Sequence, residues 1–247
     1  MMRYLLLMIL CLTAAGVHAE ELIVSAASSL TNALGDVGEA FMKGNPETHI
    51  RFNWGGSGAL AQQIKMGAPA DVLVSASDTV MDTLQGESLI DVASRTVLVH
   101  NQLVLIVPKA VNSTIHDFTD LAKTQKISIG DPRFVPAGMY ATQVLRFYGL
   151  EKSVKSKLIL AANVRQVLTY VAQQEVEAGL VYKTDALAIS EGVNIVAFAP
   201  EDSHAPIVYP AALIKDSEHK LLAQRFLTFC GSAQAKAIFA RYGFQVP

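Results

Sequence analysis

Apolar residues alternate along the chain between short unbroken runs and helical spacing, a pattern typical of alternating strands and helices. Leu22–Ala27 is an apolar run of strand length. The apolar residues that follow it recur three or four positions apart: Leu30, Leu34, Val37 and Phe41. The run predicts a buried strand, and the spacing predicts one face of a helix. Together they predict the βα unit of an α/β fold with largely parallel sheets.

The same alternation continues along the rest of the chain. Further apolar runs predict strands at 50–54, 72–75, 127–129 and 180–182. Helical spacing predicts helices near 60–64, 137–147, 164–171, 222–229 and 235–242. Because no internal repeat or flexible linker interrupts this order, we expect two α/β lobes.

Two segments are candidates for crossings between these lobes. Val97–Val107 is a long β-prone run, interrupted by His100-Asn101-Gln102, and predicts one strand that passes from the first lobe to the second. The segment 193–208 would carry the chain back. We therefore place lobe 1 at residues 20–99 plus 205–247 and lobe 2 at residues 100–204. Gly231 and Gly243 follow two predicted helices and are expected to end them as left-handed glycines.

The first residues have the pattern of a secretory signal peptide. Arg3 precedes an apolar run at 4–12, and Val17-His18-Ala19 places small residues where cleavage occurs. The run is shorter than the roughly 20 residues that span a membrane. We therefore expect a signal peptide at 1–19, cleavage after Ala19 and a periplasmic mature chain. A lipoprotein anchored at Cys11 is the alternative, disfavoured because a leucine precedes it where a small residue is expected.

The composition is that of a folded protein with an ordinary core. Of 247 residues, 51% are apolar and 17% are charged, and 20 Lys and Arg face 22 Asp and Glu for a net charge of −2. That balance excludes a disordered chain and a nucleic-acid binder that depends on bulk positive charge. Cys230 lies in an apolar run, so we expect a buried, unreactive thiol.

Four predicted helices begin in turns made of small or polar residues. These turns are Ala26–Leu30, Trp54–Ala59, Gly130–Gly138 and Asn163–Val164. The first turn of a helix presents unpaired N–H groups and about half a positive charge, and glycine lets the backbone approach a ligand closely. Several such turns at the carboxyl ends of strands favour an anion site. For any single turn, the alternative is that its serine or glycine only caps the helix.

Six segments carry a resemblance to a known family. They are Ala26–Leu34 (AASSLTNAL), Gly58–Val72 (GALAQQIKMGAPADV), Gly130–Tyr140 (GDPRFVPAGMY), Val181–Ala186 (VYKTDA), Pro200–His204 (PEDSH) and Arg241–Phe244 (RYGF). In order and spacing, over essentially the whole chain after residue 19, they resemble the periplasmic molybdate-binding proteins of ATP-driven (ABC) uptake systems. The resemblance implies the two-lobed, type II solute-binding fold, hinged by two crossing segments, with the anion in the cleft between the lobes.

The resemblance also implies five ligand contacts. Two are serine hydroxyls, Ser29 in the first turn and Ser57 in the glycine-rich turn. Two are backbone N–H groups, those of Ala137 and Val164 at the starts of their helices. The fifth is the phenol of Tyr182, which ends its strand and caps the site.

Such a set of neutral donors suits one class of anion. Molybdate, tungstate and sulfate are fully deprotonated at neutral pH and only accept hydrogen bonds, whereas hydrogen phosphate carries a proton and requires an acceptor. We therefore expect an extracytoplasmic protein that captures molybdate, and also tungstate, and delivers it to the permease and ATPase of an ABC transporter. We expect a monomer with no cofactor and no nucleic-acid partner. A protein for sulfate or another tetrahedral oxyanion is the alternative.

Charged side chains next to the proposed contacts are expected to stay outside the site. Arg133, Arg165 and Lys183 each neighbour a proposed contact. Because long charged side chains seldom bury, we expect them in solvent on the lobe surface, where they steer the anion by their field. Asp131 and Asp185 are expected to cap turns.

A hydrolase is the second hypothesis for function. The stretch Gly55–Ala59 (GGSGA) nearly matches the G-x-S-x-G turn of α/β hydrolases, with alanine in place of the last glycine. Ser57 would supply the nucleophile, Asp185 or Asp202 the acid, and His204 the base, in that family's order. Such triples arise readily by chance, so this hypothesis is disfavoured. Metal binding is weaker still, because the histidines are scattered without metal-ligand spacing.

Overall fold

The computed structural model describes residues 20–247, so the predicted signal peptide and Cys11 lie outside the described residues. Its strands are β1 (Glu20–Ala27), β2 (Thr48–Gly55), β3 (Val72–Val74), β4 (Thr96–His100), β5 (Leu103–Pro108), β6 (Ile127–Gly130), β7 (Leu158–Ala161), β8 (Ala178–Tyr182), β9 (Val193–Phe198) and β10 (Val208–Leu213). Its α-helices are α1 (Thr31–Gly44), α2 (Ser57–Lys65), α3 (Asp78–Gly86), α4 (Pro136–Phe147), α5 (Glu151–Val154), α6 (Val164–Ala172), α7 (Lys183–Ala188), α8 (Lys220–Cys230) and α9 (Ala233–Arg241). Among residues 20–247, no helix combines the length and the apolar character that crossing a membrane requires.

The strands form two five-stranded sheets, one in each lobe. The first sheet has the order β2-β1-β3-β10-β4 and the second the order β7-β6-β8-β5-β9. Three neighbouring strands are parallel in each sheet. The predicted two-lobed α/β architecture is confirmed, but the sheets are mixed rather than largely parallel. β10 and β5 each pair antiparallel on both sides, because these strands enter their sheets from the other lobe.

The chain passes from the first sheet to the second between β4 and β5 and returns between β9 and β10. The single strand predicted over Val97–Val107 is therefore wrong. Asn101 and Gln102 interrupt it, and the halves on either side belong to different sheets. The backbone N–H of Asn101 donates to the Ile207 carbonyl at 3.1 Å, so the two crossings are hydrogen-bonded to each other.

The cores form where helices cover the sheets. Helix α1 buries Leu34, Val37 and Phe41, the face that the apolar spacing predicts. Phe41 packs edge-on against Phe226 of α8, with ring centroids 5.4 Å apart. Each such side chain contributes about 1.5–3 kcal/mol on burial. Cys230, at the end of α8, is buried as predicted, and burial raises the pKa of its thiol well above the ordinary value.

Helix ends follow the sequence signals with one exception. Asn163 caps α6, since its Oδ1 accepts the Gln166 N–H at 3.0 Å. Gly243 ends α9 in the left-handed region with a φ of +87°, as predicted. Gly231 does not, because its φ is −85°. There the chain starts α9 at once, with the Ser232 side chain as the N-cap.

Candidate anion-binding site

A small cleft lies between the lobes, where the parallel strands of both sheets end. Its cavity volume is about 10 Å³, far below the roughly 300–1,000 Å³ of pockets for drug-sized ligands. The residues that line it are all uncharged: Ala27, Ser28, Ser29, Gly55, Gly56, Ser57, Ala76, Val135, Pro136, Ala137, Val164 and Tyr182. The cleft therefore suits a small solute and offers it dipoles rather than formal charge.

All five residues predicted as ligand contacts line this cleft. Ser29 and Ser57 approach from the first lobe, and Ala137, Val164 and Tyr182 approach from the second. Each is at most 3% exposed. The fold thus brings together positions that lie more than 150 residues apart in sequence. Their contact with a ligand stays a prediction.

Several helices begin at the cleft wall. Ser57 opens α2, Ala137 is the second residue of α4, and Val164 opens α6. N–H groups of a first turn have no acceptor inside their own helix and form its positive end. In α4 this turn lies directly on the end of β6, where a Cβ at Gly138 would come within 1.9 Å of the Gly130 carbonyl oxygen. Glycine is what permits that approach.

Ser57 is held by a residue that the sequence analysis missed. Its Oγ accepts the backbone N–H of Ala76 at 2.9 Å. Because a backbone N–H can only donate, the hydroxyl proton of Ser57 is free to donate into the cleft. Ala76 follows β3 at the same sheet edge as the other turns. The small residues of 75–77, which come directly after a predicted strand, are the signal that could have identified it.

Tyr182 presents an unused donor to the cleft. Its side chain is fully buried at the end of β8, and within residues 20–247 its hydroxyl has no hydrogen-bond partner. Burial raises the pKa of Tyr182 well above its ordinary value, because a phenolate there would lose its hydration, and the neighbouring Tyr209 adds to the effect. The group is therefore a protonated phenol at neutral pH. A buried donor left unpaired costs about 1–3 kcal/mol, so it indicates a missing acceptor.

The predicted surface position of Arg165 is wrong, and so is the capping role of Asp185. Asp185 is fully buried inside α7, and the Arg165 Nε lies 2.5 Å from its Oδ1. Burial raises the pKa of Asp185 to about 6, and the guanidinium acts in the opposite direction. An Nη of Arg165 also lies 3.5 Å from the Ser29 carbonyl oxygen. A buried carboxylate needs a cationic partner, which draws this arginine inward. The pair neutralises itself beside the cleft.

The other charged residues next to the predicted contacts, Arg133, Asp131 and Lys183, all lie outside the cleft but differ in exposure and in partners. Arg133 is largely exposed, as predicted, and pairs with Asp131. Asp131 caps its turn, as predicted, by accepting the Arg133 backbone N–H at 3.0 Å. Lys183 is half-buried at the start of α7, where its backbone N–H donates to the Gln102 carbonyl at 2.8 Å. None of these three residues lines the cleft.

The fold does not assemble the hydrolase triad. The hydroxyl of Ser57 is engaged by Ala76, and Asp185 is paired with Arg165. The Nδ1 of His204 lies 2.8 Å from a neighbouring backbone carbonyl. No hydrogen bond within the described chain joins the serine, the aspartate and the histidine. In that same part of the chain, no group of three or more His, Cys, Asp or Glu residues is arranged to hold a metal ion.

The lobes meet directly beside the cleft. The Gly58 N–H, in the first turn of α2, donates to the Phe134 carbonyl of the second lobe at 2.8 Å. A Cβ on Gly58 would lie 2.7 Å from that same oxygen. The Tyr140 hydroxyl reaches the Ala76 carbonyl across the cleft at 3.4 Å. The molecule is thus in a closed arrangement, in which solvent has little access to the cleft.

Known proteins are similar to this chain in sequence and in fold. The family model of the bacterial extracellular solute-binding proteins matches residues 22–245. The molybdate-binding protein ModA of Escherichia coli is 38% identical, with 92% of this chain and 89% of the relative covered. YvgL of Bacillus subtilis, named as an ABC transporter substrate-binding lipoprotein, is 42% identical, with 90% and 85% covered. The periplasmic molybdate-binding protein of Azotobacter vinelandii superposes with a TM-score of 0.80 at 26% identity, covering 92% of this chain and 99% of that one.

The family model spans nearly all of the described residues, and two relatives exceed 30% identity over most of their length. The match includes both lobes and every wall of the cleft. The chain therefore belongs to the bacterial extracellular solute-binding proteins, the family that includes the ModA molybdate-binding proteins.

Proposed function

We propose that this protein captures molybdate in the cleft between its lobes and delivers it to an ABC transporter. The ligand is held by neutral donors alone. These are the hydroxyls of Ser29 and Ser57, the phenol of Tyr182, and the backbone N–H groups of Ala137 and Val164. Tungstate, which has the same charge and shape, binds at the same place.

The observation that carries the proposal is the Tyr182 hydroxyl. It is buried, protonated and without a partner in residues 20–247, and it lies in a cleft whose walls are uncharged. A cation would be repelled by a cluster of donors, and an apolar solute would leave them unpaired. A small anion satisfies them all.

A dianion in such a cleft needs strong compensation for its lost water, because isolated charge in a low-dielectric medium costs tens of kcal/mol. Converging helix starts and hydroxyls supply that compensation through fixed dipoles. Arg165 does not supply it as a free cation, since Asp185 already neutralises it. The donors also set the size of the ligand, which favours molybdate over the smaller sulfate.

The relatives support this choice of anion. Two of the proteins compared above carry molybdate binding in their names, and one of them matches this chain at 38% identity over both lobes. The family places the protein outside the cytoplasm. In this proposal the signal peptide at 1–19 is removed after Ala19, and the monomer works without a cofactor. It transfers the anion to a membrane permease with its ATPase. Residues 20–99 with 205–247 move against 100–204 as rigid lobes about the two crossings.

Calorimetric titration of the chain 20–247 tests the proposal. We expect molybdate and tungstate to bind at one site per chain, sulfate to bind more weakly, and hydrogen phosphate to bind least, since it brings a proton to a site of donors. Tight binding of hydrogen phosphate with no response to molybdate would contradict the proposal. Labelling of Ser57 by a fluorophosphonate, with turnover of an ester, would restore the hydrolase hypothesis.

A further inference from the structure

Two polar residues outside the cleft are hydrogen-bonded to one of its predicted contacts. The Ser29 Oγ lies 2.9 Å from the Tyr209 hydroxyl on β10. That hydroxyl lies 3.1 Å from the Asn101 Nδ2, in the first crossing between the lobes. Tyr209 is fully buried and Asn101 is 8% exposed, so neither group exchanges its partners with solvent.

The direction of each hydrogen bond follows from the Asn101 end. The Asn101 Oδ1 accepts the Gln102 backbone N–H at 2.9 Å, which can only donate. The amide is thereby oriented, and its Nδ2 donates to Tyr209 and to the Thr184 Oγ1, the latter at 2.9 Å. Because Tyr209 accepts from Asn101, its own proton must find another acceptor, and Ser29 lies within reach.

The last hydrogen bond of the series determines whether Ser29 donates or accepts toward the cleft. Once its Oγ accepts the proton of Tyr209, its own proton has to point elsewhere, and Ser29 lines the cleft. Burial raises the pKa of Tyr209 well above its ordinary value, so the phenol keeps the proton that it donates. Ser57 is oriented in the same sense by the Ala76 N–H. Both serines therefore have one lone pair already occupied and a proton that is free to donate to the ligand.

We propose that Asn101 and Tyr209 are positioning residues whose one-way series of hydrogen bonds forces Ser29 to donate, and that they thereby select fully deprotonated oxyanions over oxyanions that carry a proton. The inference rests on the proposed function. A protonated oxyanion such as hydrogen phosphate needs one acceptor in the site. Tyr209 occupies one of the two Ser29 lone pairs, and turning the other toward the ligand would leave the Ser29 proton without the acceptor that the anion supplies. Selectivity is thus set partly by residues that do not touch the ligand.

Tyr209→Phe tests this. The substitution keeps the ring that packs edge-on against Phe244 at 5.5 Å and removes only the hydroxyl. We expect the Kd for molybdate to rise about 3- to 10-fold, the value of a neutral hydrogen bond. The Kd for hydrogen phosphate should stay level or fall, because Ser29 regains a free lone pair. The ratio of the phosphate Kd to the molybdate Kd should therefore fall by at least about 3- to 10-fold.

A double-mutant cycle identifies the route of the effect. If Tyr209 acts through Ser29, then Tyr209→Phe should change neither Kd once Ser29→Ala is present. Tyr242→Phe is the matched control, since that hydroxyl donates to Asp36 far from the cleft, and it should leave both constants unchanged.

Four results would be decisive. An unchanged ratio in Tyr209→Phe would overturn the inference, as would an equal effect in the Ser29→Ala background. A lower melting temperature with unchanged selectivity would assign Tyr209 to packing alone. If the wild-type protein failed to bind molybdate, the proposed function would fail first, and that outcome is distinct because it needs no variant.

Discussion

Replacing Tyr182 by phenylalanine separates a ligand contact from a structural one. The hydroxyl has no partner in the described residues, so its removal breaks no hydrogen bond of the unliganded protein. It instead removes a buried unpaired donor, which costs the folded state about 1–3 kcal/mol. We therefore expect the free energy of unfolding without ligand to stay level or to rise.

The same substitution should weaken binding strongly. A hydrogen bond to a charged group contributes about 1.5–3 kcal/mol, which corresponds to a rise in Kd of about 10- to 150-fold. Calorimetry with molybdate measures that change directly. Urea unfolding with and without saturating molybdate measures it a second time, because ligand stabilisation falls with the logarithm of Kd.

Tyr242→Phe is the matched control for this pair of measurements. Its hydroxyl donates to Asp36 at 2.7 Å, outside the cleft. It should therefore lose a little stability and no affinity, the reverse of Tyr182→Phe. Wild-type affinity in Tyr182→Phe would refute the assignment of the phenol to the ligand. A clear loss of unliganded stability would refute the claim that it has no other partner.

Three further predictions follow from the same geometry. Ser57→Ala should weaken molybdate binding by about 1.5–3 kcal/mol and, unlike Tyr182→Phe, should also lower unliganded stability by about 1 kcal/mol, since the Ala76 N–H loses its acceptor. Gly58→Ala should raise the molybdate Kd about tenfold or more without lowering the melting temperature, because its Cβ would lie 2.7 Å from the Phe134 oxygen only when the lobes are closed. Asp185→Asn should abolish a pH dependence. Burial raises the pKa of Asp185 from 3.8 to about 6, so the folded state holds this proton more tightly than the unfolded state does. The free energy of unfolding of the wild type should therefore fall as the pH rises from about 4 to 6, by on the order of 3 kcal/mol.

Each of these has a measurement that could contradict it. For Ser57 the measurements are calorimetry and urea unfolding, and unchanged affinity would remove it from the ligand contacts. For Gly58 the control is Gly35→Ala on α1, where a Cβ meets nothing within 4 Å, and equal affinities would show that closure tolerates the methyl group. For Asp185, urea unfolding of both proteins at pH 4 and pH 7 should show that the free energy of unfolding of the wild type falls, relative to that of the variant, when the pH rises from 4 to 7. Parallel pH profiles would contradict the burial argument.

The sequence predicts the architecture well where local signals decide it. The apolar run at 22–27 and the helical spacing after it correspond to β1 and α1, and Asn163 caps α6. Local sequence signals gave the wrong prediction where the tertiary structure determines which sheet a strand joins. The run 97–107 is predicted as one strand despite its polar residues His100-Asn101-Gln102, yet it is divided between two sheets at Asn101 and Gln102. The polar residues mark the break, but they do not show that the two halves belong to different sheets.

The site shows the same division. Turns at the ends of predicted strands indicated an anion site, because the carboxyl ends of parallel strands meet at one edge, and the family resemblance then implied Ser29 and Ser57 as contacts within those turns. Tyr209 could not be found in this way, since it arrives on an antiparallel strand from the far end of the chain. Arg165 was misjudged for a related reason. A general preference of arginine for solvent cannot foresee a fully buried carboxylate such as Asp185 beside it.

The most direct test of the central claim is the crystal structure of residues 20–247 with molybdate. The account predicts the anion in the cleft, with its oxygens within hydrogen-bond distance of the Ser29 and Ser57 hydroxyls, the Tyr182 phenol and the N–H groups of residues 137 and 164. It also predicts that no guanidinium or ammonium group touches the ligand. Molybdate bound elsewhere, or held directly by the Arg165 guanidinium, would contradict it.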